Sequence, residues 1–239
     1  MLKLLALLFS GAKFGKLLTT GGTMILSVFA YALLLGWRYA VGFVLLIFVH
    51  EMGHYVAARR MGLAVGLPTF IPFVGAWIEL KDQPLDAERE AWIALAGPLA
   101  GTVGALACYW AARVEGSTLL LALAYAGFML NLWNLIPVAP LDGGRIVGVL
   151  SPRIWLIGAP LLAALFFWRP SPMLILILVF AFPSIISAWR GTWREHVPAN
   201  YYEQPLAVKV KYGALYLGLG GFLGAMSYEV HNMLRGTLG

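Results

Sequence analysis

Two histidines and a glutamate fall within five consecutive positions, His50-Glu51-Met52-Gly53-His54, at the end of an apolar run from Tyr39 to Val49. On a helix, residues four apart share a face one turn above each other, so both imidazoles can reach a single ion. Glu51 lies beside them and can take a proton from water held on that ion. This is the H-E-x-x-H spacing of zinc hydrolases. Chance is the weaker explanation. Random placement of so few histidines gives this pattern in about 2 of 1000 chains. Ionisable groups inside an apolar run are also costly, and they normally serve function.

A catalytic zinc takes three protein ligands and leaves a fourth position open. His50 and His54 supply two. His196 and His231 lie in polar or terminal segments and read as surface residues, and Cys108 sits at the far end of its span, as a small packing residue. Asp142 is the best third ligand. It is the only aspartate outside positions 82–86. It follows Asn131 to Leu141, where Pro137 and Pro140 break a helix, and it precedes Gly143-Gly144. A lone carboxylate in such an apolar setting is expensive unless a cation balances it. The competing assignment is an ordinary Asp-Gly-Gly turn. Glu51 then serves as general base toward the metal's water and later protonates the leaving amine. Asn134, on the last turn before the break, can donate to a developing oxyanion. Its alternative role is a helix cap or an interhelical hydrogen bond.

These groups must be positioned by membrane helices. The chain of 239 residues is 61% hydrophobic and 12% charged, with mean hydropathy +0.81. Soluble domains average about 25% charged residues. The net charge of +6 does not indicate nucleic acid, because the basic residues punctuate the ends of apolar runs instead of clustering with aromatics. Apolar runs predict spans over 23–37, 39–61, 91–112, 117–135, 155–167 and 173–189, and a weaker glycine-rich one over 212–226. Residues 1–20 read as an amphipathic segment on the membrane surface. Between the second and third spans, 62–80 is apolar yet rich in Gly and Pro, with β-prone pieces at 69–71 and 76–78. A hairpin or re-entrant element beside the second span is expected there, able to pair with an extended peptide. Asp86, Glu88 and Glu90 read as a solvated helix start.

With the N-terminus on one side and seven alternating spans, all but four (Arg38, Arg113, Arg169, Arg235) of the 17 Lys and Arg fall on the N-terminal side. The positive-inside rule makes that side cytoplasmic. The ends of spans two and four, with His54 and Asp142, then meet at one depth on the cytoplasmic side.

His50-Glu51-Met52-Gly53-His54 together with Asn134-x-x-Pro137-x-x-x-Leu141-Asp142-Gly143 resembles the site-2 protease family of intramembrane zinc metalloproteases. Gly97-Pro98-x-x-Gly101 is similar to that family's middle-span motif, and the resemblance covers roughly residues 39–150. It implies one zinc on His50, His54 and Asp142, Glu51 as catalytic base, Asn134 assisting the substrate, and cleavage of membrane-spanning proteins. The chain has room for neither a PDZ nor a paired nucleotide-sensing (CBS) domain, so the short form of the family is expected. The overall expectation is an all-α polytopic membrane protein of about six to seven transmembrane helices with a small β-hairpin or re-entrant element after the second. Its divisions are a surface segment (1–20), a metalloprotease core (21–190) and a C-terminal segment with an extra span (191–239). The expected function is regulated intramembrane proteolysis of transmembrane substrates in the cell membrane, with the lipid bilayer as the other partner and no nucleic acid. The alternatives are a metal-ion transporter, which would need further intramembrane carboxylates, and a non-catalytic scaffold, which would not need Glu51.

Overall fold

The computed structural model describes residues 2–73, 75–78, 84–168, 170–195 and 197–238; for 2–18, 77, 172, 173, 237 and 238 it describes the backbone alone. Among these residues the chain is almost entirely helical. The helices are α1 (Leu2–Leu35), α2 (Trp37–Arg60), α3 (Ala87–Glu115), α4 (Thr118–Asn134), α5 (Asp142–Gly148), α6 (Trp155–Trp168), α7 (Pro172–Arg190) and α8 (Leu206–Leu238). Two short strands, β1 (Thr69–Ile71) and β2 (Gly75–Trp77), pair antiparallel with Phe70 opposite Ala76.

The boundaries follow from local chemistry. Gly36, at φ +81, turns the chain between α1 and α2. At the other end of α2, Gly62 takes φ +80, and Leu63 N–H donates to the Ala58 carbonyl at 3.1 Å. That six-to-one bond closes the helix while Leu63 packs on Ala58 and Ile93. Asp86 caps α3 by accepting from the Arg89 N–H at 2.8 Å. Gly116, left-handed at φ +66, ends α3, and Ser117 caps α4. Such short connections force α1 and α2, and likewise α3 and α4, to run antiparallel.

Helix α3 is the centre of the bundle and packs against α2, α4, α5 and α8. Its buried face is mostly Ala and Gly, with Ile93, Leu95, Pro98 and Thr102 among them, and the small residues allow close approach. The hairpin leans on α2, where Phe70 stacks on Phe48 at 6.4 Å, and on α1, where Thr23 Oγ1 accepts from the Phe70 N–H at 3.2 Å. The expected hairpin beside the second span is therefore present.

Three helices, Trp37–Arg60, Ala87–Glu115 and Leu206–Gly236, are long and apolar enough to cross a membrane, and four shorter apolar helices accompany them. Leu33, Val103, Phe182 and Leu217 point outward, as lipid-facing side chains do. The C-terminal helix differs from expectation. It begins at Leu206, directly after Pro205, and so takes in 206–211, ahead of the span expected over 212–226. Its Tyr212, Leu223 and Val230 are buried in the core formed with α3 and α4, and this packing outweighs the glycines that made the run look weak.

Candidate metal centre

His50 and His54 lie on the last turns of α2, and Asp142 opens α5 just after the chain has turned away from α4 at Asn134. All three are buried. The Nε2 atoms of the two imidazoles are 3.1 Å apart, and each stands 3.2 Å from Asp142 Oδ2. Among the described residues this is the one group of three or more His, Cys, Asp or Glu whose ligand atoms converge.

The outer nitrogens fix the chemistry of the inner ones. His50 Nδ1 lies 2.8 Å from Asn131 Oδ1, and the Asn131 amide nitrogen donates to the Gly127 carbonyl at 2.7 Å, which sets which way the amide faces. His54 Nδ1 lies 2.7 Å from the Ile93 carbonyl. Both partners can only accept, so each Nδ1 carries a proton, and in its neutral form each ring turns an Nε2 lone pair inward. Two lone pairs thus face each other and a carboxylate oxygen that has no hydrogen-bond donor. One shared proton would satisfy two of these three atoms and leave the third unpaired. A cation satisfies all three. A tetrahedral zinc with bonds of about 2.0–2.1 Å places its ligand atoms about 3.3–3.4 Å apart. The triangle observed is close to that size, and its two-nitrogen, one-oxygen donor set suits zinc.

Glycines make room for this arrangement. A Cβ at Gly97 would collide with the His54 ring, and one at Gly101 with the Asn131 amide. At Gly53 it would strike the Ala96 carbonyl. The small-residue ridge of α3 therefore lets the neighbouring helices approach and also seats a ligand and the residue that orients the other ligand. Gly143 and Gly144 lie directly against the backbone of 135–139, which fixes where α5 starts. Trp155 Nε1 donates to the Gly144 carbonyl at 2.8 Å, tying α5 to α6.

Residues 38–117 match peptidase family M50. Curated relatives include the zinc metalloprotease MJ0392 of Methanocaldococcus jannaschii, 31% identical over 163 residues, covering 60% of this chain and 47% of that protein. Another is the putative zinc metalloprotease Rip3 of Mycobacterium tuberculosis, 38% identical over 122 residues, covering 48% of this chain and 31% of that protein. The family match makes the chain similar, over about a third of its length, to the zinc metalloproteases of peptidase family M50. The chain spans less than half the length of these curated relatives. A solved site-2 protease from M. jannaschii aligns over 70% of this chain and 85% of its own, at 20% identity and a TM-score of 0.46.

Glu51 follows His50 directly on α2 and is half-buried. Asn134 is half-buried and gives one amide N–H to the Leu130 carbonyl at 3.1 Å. His231 is exposed, and Cys108 packs at the edge of the α3 core. His196 lies outside the described residues.

Sequence reasoning missed Asn131. Its signal was available: a polar side chain eleven residues before Asp142, within an apolar span. The solvated reading of Glu90 needs correction. Its Oε1 accepts from Arg145 Nε at 3.2 Å and its Oε2 from the Tyr201 hydroxyl at 2.7 Å. Burial and the Glu90 charge push the Tyr201 phenol far above its ordinary pKa and raise Tyr202 to about 12. Tyr201 therefore stays a hydrogen-bond donor throughout the physiological range.

Proposed function

We propose that this chain is an intramembrane zinc metalloprotease that hydrolyses peptide bonds of transmembrane substrates by regulated intramembrane proteolysis. The observation that carries this is the meeting of three buried ligand atoms, on His50, His54 and Asp142, inside a bundle with apolar outer faces. When bound there, zinc would supply Lewis acidity toward the scissile carbonyl and toward water. Glu51 accepts the proton of the attacking water and returns it to the leaving amine. An amide nitrogen carries two N–H donors, so Asn134 can hold the Leu130 carbonyl with one and offer the other to the developing oxyanion. A substrate helix hides its carbonyls in hydrogen bonds and must open before attack, and the β1–β2 hairpin beside α2 offers strand edges to hold the opened segment. The basic residues favour a cytoplasmic N-terminus and a site nearer that side. On this assignment 21–190 form the protease core, with 1–20 at the membrane surface and 191–239 added after it.

The test is Glu51→Gln in purified, zinc-loaded chain reconstituted with a cleavable transmembrane substrate. Zinc content should stay unchanged while turnover falls about 10²–10⁴-fold. Equal turnover with and without Glu51 would overturn the assignment, and a metal transporter or scaffold would keep its function in the variant.

A further inference from the structure

The chemistry above leaves unused a cluster of Arg145, Glu90 and Tyr201. We propose that these three are positioning residues that hold α5, and with it Asp142, in register with the two histidines, so that the segment between α7 and α8 takes part in setting the metal centre. The inference rests on the metal-site assignment above.

Helix α5 needs external support. It has seven residues, three of them glycine, and so short a helix has little stability of its own. Arg145 lies one turn after Asp142, and its guanidinium is fixed on Glu90 Oε1 at 3.2 Å. Both side chains are largely shielded, at 20% and 25% exposure. The other Glu90 oxygen takes the Tyr201 hydroxyl, so the carboxylate cannot swing away from Arg145 without losing two partners. Tyr201 is itself buried, and its carbonyl accepts from the Ala87 N–H at 3.0 Å, which docks the stretch around Tyr201 on the first turn of α3.

The position of Glu90 on α3 is the second part of the argument. Three residues later, on the same helix, the Ile93 carbonyl orients His54. One turn of α3 therefore references both halves of the ligand set, His54 through Ile93 and Asp142 through Glu90 and Arg145. The nearby Lys211–Glu88 pair is different. It spans 3.4 Å, it is more exposed, and it involves neither α5 nor a residue that orients a ligand.

The experiment measures zinc affinity of the full chain by chelator competition, together with hydrogen exchange of the 142–150 amides in zinc-free protein. Orienting residues behind a metal ligand typically change affinity about 10–100-fold. Glu90→Gln should weaken zinc binding about tenfold and speed exchange across α5. Tyr201→Phe, which removes one oxygen and keeps the ring, should do the same to a smaller extent, about threefold in affinity by the same scale. Arg145→Gln should match Glu90→Gln, the double variant should be no worse than either single one, and Arg145→Lys should recover part of the loss. Lys211→Gln should change neither quantity. Affinity and exchange within twofold of wild type in Tyr201→Phe and Glu90→Gln would overturn the proposal, and should Glu90→Gln not fold, Tyr201→Phe decides it. If the wild-type chain binds no zinc, the metal assignment itself fails, a result distinct from wild-type binding that the variants leave unchanged.

Discussion

On α3, Gly97 and Gly101 stand directly against the His54 ring and the Asn131 amide, whereas on α8 Gly218, Gly221 and Gly224 have no neighbouring atom where a Cβ would go. The two helices are similar in length and in apolar character, and both qualify as membrane spans. Yet half of the α3 span is buried in the protein against 17% of the α8 span. A glycine that faces lipid or open space can be replaced freely. A glycine pressed against a ligand cannot. The difference locates the working part of the molecule at the α2–α3–α4–α5 junction, where backbones approach closely enough for polar side chains to be held away from lipid.

Substitutions can break this contrast. Gly97→Val should have the largest effect, because its side chain would occupy the space of the His54 ring. Zinc affinity should fall about 100-fold, at the upper end for losses of ligand orientation, while Gly221→Val should leave zinc titration unchanged. Similar losses in both would mean that α3 and α8 are not distinct in this way. Asn131→Ala comes next. It leaves the His50 N–H without its acceptor, at a cost of about 1–3 kcal/mol, and should lower zinc affinity about tenfold. Differential scanning with and without zinc would check both figures. Trp155→Phe should be the mildest. It removes one hydrogen bond to the Gly144 carbonyl, worth about 1 kcal/mol, and should lower the melting temperature with only a slight change in zinc affinity.

The ligand triad was legible in the sequence because charge is expensive in apolar surroundings. His50, His54 and Asp142 stand out there, and the alternation of spans puts the last two at one depth. The hairpin was legible from Gly and Pro punctuation between 62 and 80. Asn131 was not picked out, because a polar residue among leucines can serve as interhelical glue as readily as it orients a ligand. Glu90 was misread because a glutamate in a first helical turn usually faces water. Its partners, Arg145 and Tyr201, are 55 and 111 residues away, and no local pattern links them. The start of α8 was misplaced for a related reason. Lys209 and Lys211 interrupt the apolar run, but they lie in the first two turns of a helix whose inner face is buried against α3 and α4.

The most direct test is zinc-edge X-ray absorption on the purified chain loaded with one equivalent of zinc, compared with Asp142→Ala. In the wild type the first shell should hold two imidazole nitrogens and light oxygen donors at about 2.0–2.1 Å in four-coordinate geometry. Loss of the carboxylate should weaken binding and change that shell. A wild-type shell without imidazole scattering, or a spectrum that Asp142→Ala leaves unaltered, would contradict the convergence of His50, His54 and Asp142 on one ion.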